Sequence, residues 1–151
     1  MTENNDFEKA DTLYDQGDFA SAFKLFFRAA ESGDSSAMSR LACLYFDGEG
    51  VDCDICESIS WDQRAINAGS VSSMLNLAIT YRTQGNIVAA KEWYEKAIDA
   101  GDSEAALQLA KLYMVTDKER DNIVSLLSQS IELGNLCEES MDEVKALQKS
   151  I

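Results

Sequence analysis

The sequence predicts an all-α protein assembled from four helix pairs and a closing helix. Apolar residues recur at helical spacing along the chain, and no stretch carries the alternation of a strand. The 151 residues include no proline and eight glycines, so helices run uninterrupted and turns rest on Gly, Asn and Asp. The same columns also return four times at intervals typical of helical arrays. Tyr14, Tyr45, Tyr81 and Tyr113 stand 31, 36 and 32 residues apart.

The elements follow in order from those columns. Each first helix is marked by a residue seven positions before its tyrosine (Phe7, Met38, Met74, Ala106) and another four before it (Ala10, Leu41, Leu77, Leu109). Each second helix carries Leu25, Trp61, Trp93 or Leu126. Four residues on come Ala29, Ala65, Ala97 and Ser130, then Ala30, Ile66, Ile98 and Ile131. Large apolar residues in one column predict that Trp61 and Trp93 are core. Each unit closes on a glycine and a capping residue: Gly33-Asp34, Gly69-Ser70, Gly101-Asp102 and Gly134-Asn135. Repeats are therefore expected at about 6–34, 35–70, 71–102 and 103–135, within one domain spanning residues 1–151. The clearest is Met74 to Asp102, where Met74, Leu77, Ala78 and Tyr81 share one helical face. Gly85 and Asn86 turn the chain, and Ala89, Ala90, Trp93, Ala97 and Ile98 form the second face. A pair this short cannot bury its own stripe and needs copies beside it.

The second unit has an expanded turn, YFDGEGVDCDICESISWDQRAINAG. Its Tyr45, Gly48, Gly50, Val51, Asp54, Trp61, Ala65 and Gly69 resemble the Sel-one-like repeat, a relative of the tetratricopeptide repeat. Unit three, with its short Gly-Asn turn, is more similar to a plain tetratricopeptide repeat. Unit one is looser, and unit four has MVTDKERDN in place of the turn glycine. The resemblance covers about residues 6–135. It implies a right-handed α-solenoid of antiparallel helix pairs that serves as a protein-binding scaffold.

Residues 136–151 predict a capping helix. Met141, Val144, Leu147 and Ile151 make one stripe, Glu138 and Glu139 sit in its first turn, and Lys145 and Lys149 lie toward its end, complementing the helix dipole. A solenoid needs its last open face covered by such an element.

Twenty-seven acidic residues against thirteen basic give a net charge of −14. That disfavours nucleic acid and anionic membrane and suits a cationic partner. The start, MTENNDFEKAD, has neither a basic opening nor an apolar run, and no segment has the length of a membrane span. Cys43, Cys53, Cys56 and Cys137 lack the spacing of a disulfide framework, so reduced thiols in a cytoplasmic protein are expected.

The chain has no histidine, which removes imidazole bases, histidine-assisted nucleophiles and histidine-containing zinc sets. Cys53-Asp-Ile-Cys56 lacks the βαβ context of a redox motif and two further zinc ligands. The acidic turn lacks the carboxylate spacing of a calcium loop. No catalytic residue, metal or cofactor is expected, and the chain is read as a non-enzyme.

In the tetratricopeptide class the first helices line the concave surface. Residues nine, six and two before each tyrosine and one after it point away from the core stripe, at ~100° per residue. Unit one there carries Asn5, Glu8, Thr12 and Asp15; unit two Ser36, Ser39, Cys43 and Phe46. Unit three carries Ser72, Leu75, Ile79 and Arg82, and unit four Glu104, Leu107, Lys111 and Met114. Apolar residues on a face that should be solvated mark a partner site. The expected binding surface is Phe46, Leu75, Ile79, Arg82, Leu107, Lys111 and Met114. It would take a peptide or helix of another protein. The alternative is an immunity or antitoxin-type inhibitor that masks a cationic toxin.

Overall fold

The computed structural model describes residues 6–116 and 120–151. Among these the chain forms nine helices and no strand: α1 (Asp6–Asp15), α2 (Phe19–Glu31), α3 (Ser35–Asp47), α4 (Ile55–Asn67), α5 (Ser72–Thr83), α6 (Ile87–Asp99), α7 (Ser103–Thr116), α8 (Arg120–Leu133) and α9 (Glu138–Ser150). The all-α helical-repeat class expected from the sequence is what the chain adopts. Asn5 and the centre of the fourth turn, residues 117–119, lie outside the described residues.

The breaks between helices follow from local chemistry. Asp18, Asp34 and Asp54 cap α2, α3 and α4, accepting hydrogen bonds from backbone N–H groups two or three residues on. Asn86 does the same for α6, and Asp102 accepts from the Ala105 N–H at 3.0 Å. Each such bond satisfies a donor the helix itself leaves free and contributes about 1 kcal/mol. At the other ends the closing glycines adopt positive φ, as at Gly33 (φ 100°), and the next residue's N–H returns to the last turn; Asp34 N–H reaches Ala29 O at 3.2 Å. The closing helix starts at Glu138, two residues later than the expected start at residue 136. Cys137 is extended there, and its sulfur accepts the Ser140 N–H at 3.5 Å as the cap.

The chain divides into two compact units, Met1–Thr80 and Tyr81–Ile151. In the first, α1 to α4 enclose a core of Ala10, Ala22, Phe26, Leu41, Leu44 and Trp61, edged by Phe7, Phe23 and Tyr45. Fully burying a side chain such as Phe26 contributes roughly 2–3 kcal/mol. In the second, Leu107, Ala110, Ile123 and Leu127 of α7 and α8 close on Val144 of α9. Of the α9 stripe, Leu147 and Ile151 edge this cluster with Leu136, so the closing helix covers apolar surface as the sequence suggested.

The expanded turn after α3 is tied to the first repeat at two points. Tyr14 of α1 donates its hydroxyl hydrogen to Glu49 at 2.6 Å. Gly50, at φ 73°, lies so close to the start of α2 that a Cβ there would come within 2.2 Å of Phe19 O. Only glycine fits both constraints.

The tryptophan column needs one correction. Trp61 is core, 4% exposed, with the Arg64 guanidinium 3.9 Å from its ring centre. Trp93 is only half-buried and carries the Lys96 ammonium 3.9 Å above its ring. The fully buried column is the next one along: Phe26, Asp62, Tyr94 and Leu127 are each 1% exposed or less. One residue is a turn of ~100° about a helix, so the inward direction falls between the two columns, and Tyr94 rather than Trp93 takes the deeper seat.

Candidate partner-binding site

In the first unit, α3 and α5 present the face expected to meet a partner, and α4 lies beneath it. A cavity of about 210 Å³ opens there, lined by Ala42, Cys43, Phe46 and Asp47 of α3, Ser58 and Asp62 of α4, and Asn76, Ile79 and Thr80 of α5. A neighbouring hollow of about 290 Å³ shares Cys43 and Asn76 and adds Phe7, Ser36, Ser39, Arg40 and Ser72. The first cavity has apolar walls at Ala42, Phe46 and Ile79 and a polar floor.

The floor is organised by Asn76. Its amide donates to Asp62 Oδ1 at 3.3 Å, to Ser39 Oγ at 3.3 Å and to Cys43 Sγ at 3.5 Å. Asp62 is 1% exposed, and its second oxygen, Oδ2, has no hydrogen-bond partner among the described residues. Burial pushes the Asp62 carboxyl up to about 7, offset only in part by the Ser73 hydroxyl and the Asn76 amide. Burial also pushes the Cys43 thiol up to about 11, with the Asp62 charge adding to it, so the thiol stays protonated near neutrality and is no nucleophile. Asp47, at the rim, is raised by its own partial burial and by Glu49.

The expected surface residues fall into two groups. Phe46 and Ile79 are half-buried and come together on opposite walls of the cavity; Leu75 is half-buried on α5 but does not line it. In the second unit, Arg82 is engaged by Gln108, donating to Oε1 at 3.1 Å. Leu107 is a correction: it is 0% exposed and belongs to the core. The cause is α9, which packs on the α7 face carrying Glu104, Leu107, Lys111 and Met114. Lys111 pairs with Glu143 at 2.8 Å, Ser140 donates to Glu104 at 2.8 Å, and Met114 edges the Leu107–Val144 cluster.

Sequence reasoning overlooked Asp62. The signal was present: the column after the large apolar one reads Phe26, Asp62, Tyr94, Leu127, a lone carboxylate where its counterparts are bulky and apolar. Cys53 and Cys56 are exposed; the Cys53 thiol donates to Phe46 O at 3.2 Å, and no group of three metal-ligating side chains occurs among the described residues.

Residues 13–34 and 35–70 match the Sel1 repeat family, and residues 70–101 match the tetratricopeptide repeat family. Residues 13–70 thus carry Sel1-like repeats, and a tetratricopeptide-like repeat follows them. Two of the solved structures that share the fold illustrate the likeness. A Sel1 repeat protein from Oxalobacter formigenes superposes with a TM-score of 0.71 at 23% identity, over 85% of this chain and 56% of that one. A protective antigen of uropathogenic Escherichia coli with an SLR fold gives 0.75 at 21% identity, over 97% of this chain and 33% of its own. This Sel1-like chain therefore spans about half the length of one relative and a third of the other. No curated protein sequence matches it significantly. Sel1 and tetratricopeptide repeats are protein-interaction scaffolds, and this chain carries both kinds.

Proposed function

We propose that this Sel1-like protein is a non-enzymatic interaction module of the cytoplasm that captures a segment of another protein on the α3–α5 face of its first unit. The observation that carries the reading is the cavity between Phe46 and Ile79. It is open to solvent and apolar-walled, lies on the face that the repeat pattern assigns to partners, and has a chemically distinctive floor. Its pairing of apolar wall with acidic floor suits a segment that is both apolar and cationic. The four free thiols fit a reducing compartment.

Capture of partner from the native cell, compared between wild type and Ile79→Glu, tests this, with Glu95→Lys on α6 as the control. The charge should abolish capture while helicity and melting persist, because Ile79 is only half-buried. If Ile79→Glu folds and captures undiminished, the site is elsewhere and the proposal fails.

A second reading is favoured by the net charge of −14. An immunity-type inhibitor would mask a basic toxic enzyme through steered, fast association. Its mark is an association rate that falls steeply with salt; a salt-insensitive rate would rule it out.

A further inference from the structure

The geometry points to the α3–α5 cavity as a socket for a single lysine or arginine side chain of the partner, with Asp62 Oδ2 as its anchor. This deepens the proposed function and rests on it for the identity of the face, but it is carried by different observations. In the column of Phe26, Tyr94 and Leu127, large side chains fill the inward seat of the second helix; in the second repeat that seat holds Asp62. The shorter side chain leaves volume, and the cavity lies over it. A buried carboxylate oxygen without a partner is costly unless something donates to it. The Asn76 amide is already engaged with Oδ1, Ser39 and Cys43, and Oδ2 is left without a partner among the described residues.

A cavity of about 210 Å³ is far larger than one bridging water requires, on the order of 10–15 Å³. Its shape of polarity fits a longer guest. Ala42, Phe46 and Ile79 offer apolar wall along the approach, Asp47 stands at the rim and Asp62 at the end, and among the described residues no basic side chain lines the space. A lysine or arginine presents the matching sequence of groups, an aliphatic stem and then a cationic donor. The head would donate to Oδ2 and hold the carboxylate ionised. An apolar guest would leave Oδ2 bare, and an acidic one would meet two carboxylates.

The test uses the intact chain and two small probes, N-acetyl-lysine methylamide and its norleucine counterpart, titrated while the Asn76 side-chain amide and the Ile79 methyl are followed by NMR. The norleucine probe has the stem without the charge. Lysine should bind weakly but saturably and move both signals, with norleucine about tenfold weaker or more, as expected for losing a charged hydrogen bond. Asp62→Asn should lose most of that preference while still folding. Equal binding of both probes, or the same lysine preference in Asp62→Asn, would show a merely apolar hollow and overturn the socket. So would the absence of any local shift, which would mean that Oδ2 is served by water alone. If the lysine probe fails while Ile79→Glu still abolishes partner capture, the face is right and only the socket is wrong. If both fail, the face is wrong as well.

Discussion

Asp62 makes the stability of this protein depend on pH in a way that can be calculated. The carboxyl titrates near 3.8 when exposed and about 7 in the fold, and burial is the main cause. Between those values the native state holds a proton that the unfolded chain has released. Stability from this group is therefore complete below about pH 4 and is lost as pH rises toward and past 7. The full difference corresponds to about 4 kcal/mol, and somewhat more than half of it falls between pH 5 and pH 8. Asp62→Asn keeps the shape and removes the titration. Urea or thermal unfolding followed by circular dichroism at both pH values compares wild type with variant. The other carboxylates are common to both chains and largely cancel. The variant should gain on the wild type by about 2–3 kcal/mol from pH 5 to pH 8, roughly 5–10 °C in Tm for a chain of this size. A gap that stays constant with pH would mean that the native carboxylate is already ionised at pH 5, and the argument from burial would fall.

Other outcomes follow from the packing. Trp61→Ala should cost about 3–5 kcal/mol, and Trp93→Ala clearly less because that ring is half-exposed; equal losses in chemical denaturation would contradict the assignment of the deeper seat to Tyr94. Tyr94→Phe should be neutral or stabilising by up to about 1 kcal/mol, since the hydroxyl is buried without a partner among the described residues; a loss above ~1 kcal/mol would reveal one. Gly50→Ala should lose at least about 1–3 kcal/mol from its positive φ alone, and more from the contact with Phe19 O; an unchanged melting curve would refute the close approach.

Much of the fold was legible because turns and caps are local. Gly33-Asp34 or Gly85-Asn86 specifies a helix stop and start from a few residues of chemistry, and the same signs recur along the chain. What distant segments do to one another was not legible. Leu107 sits in a column that reads as open surface, and only the return of α9 makes it core; nothing within α7 announces that. The choice between Trp93 and Tyr94 for the inward seat depends on helix rotation, which adjacent apolar residues leave open. Phe46 and Ile79 could be found from periodicity, since each departs from the polarity of its face. Asp62 needed a different comparison, a search for the odd polar residue in a buried column.

The docking of α9 on α7 sets a limit on how a guest can be held. On the proposed reading, the chain's own final helix already fills the seat of the fourth repeat, secured by Lys111–Glu143 and Ser140–Glu104. In the first unit, the proposed seat is the short span between α3 and α5, enough for a brief motif and not for a long helix. Selectivity over so small a footprint has to come from one deeply held residue, because there is little room for many shallow contacts to add up. A module built this way would read a short linear motif many proteins can carry, and its discrimination would be set by what fits a single pocket.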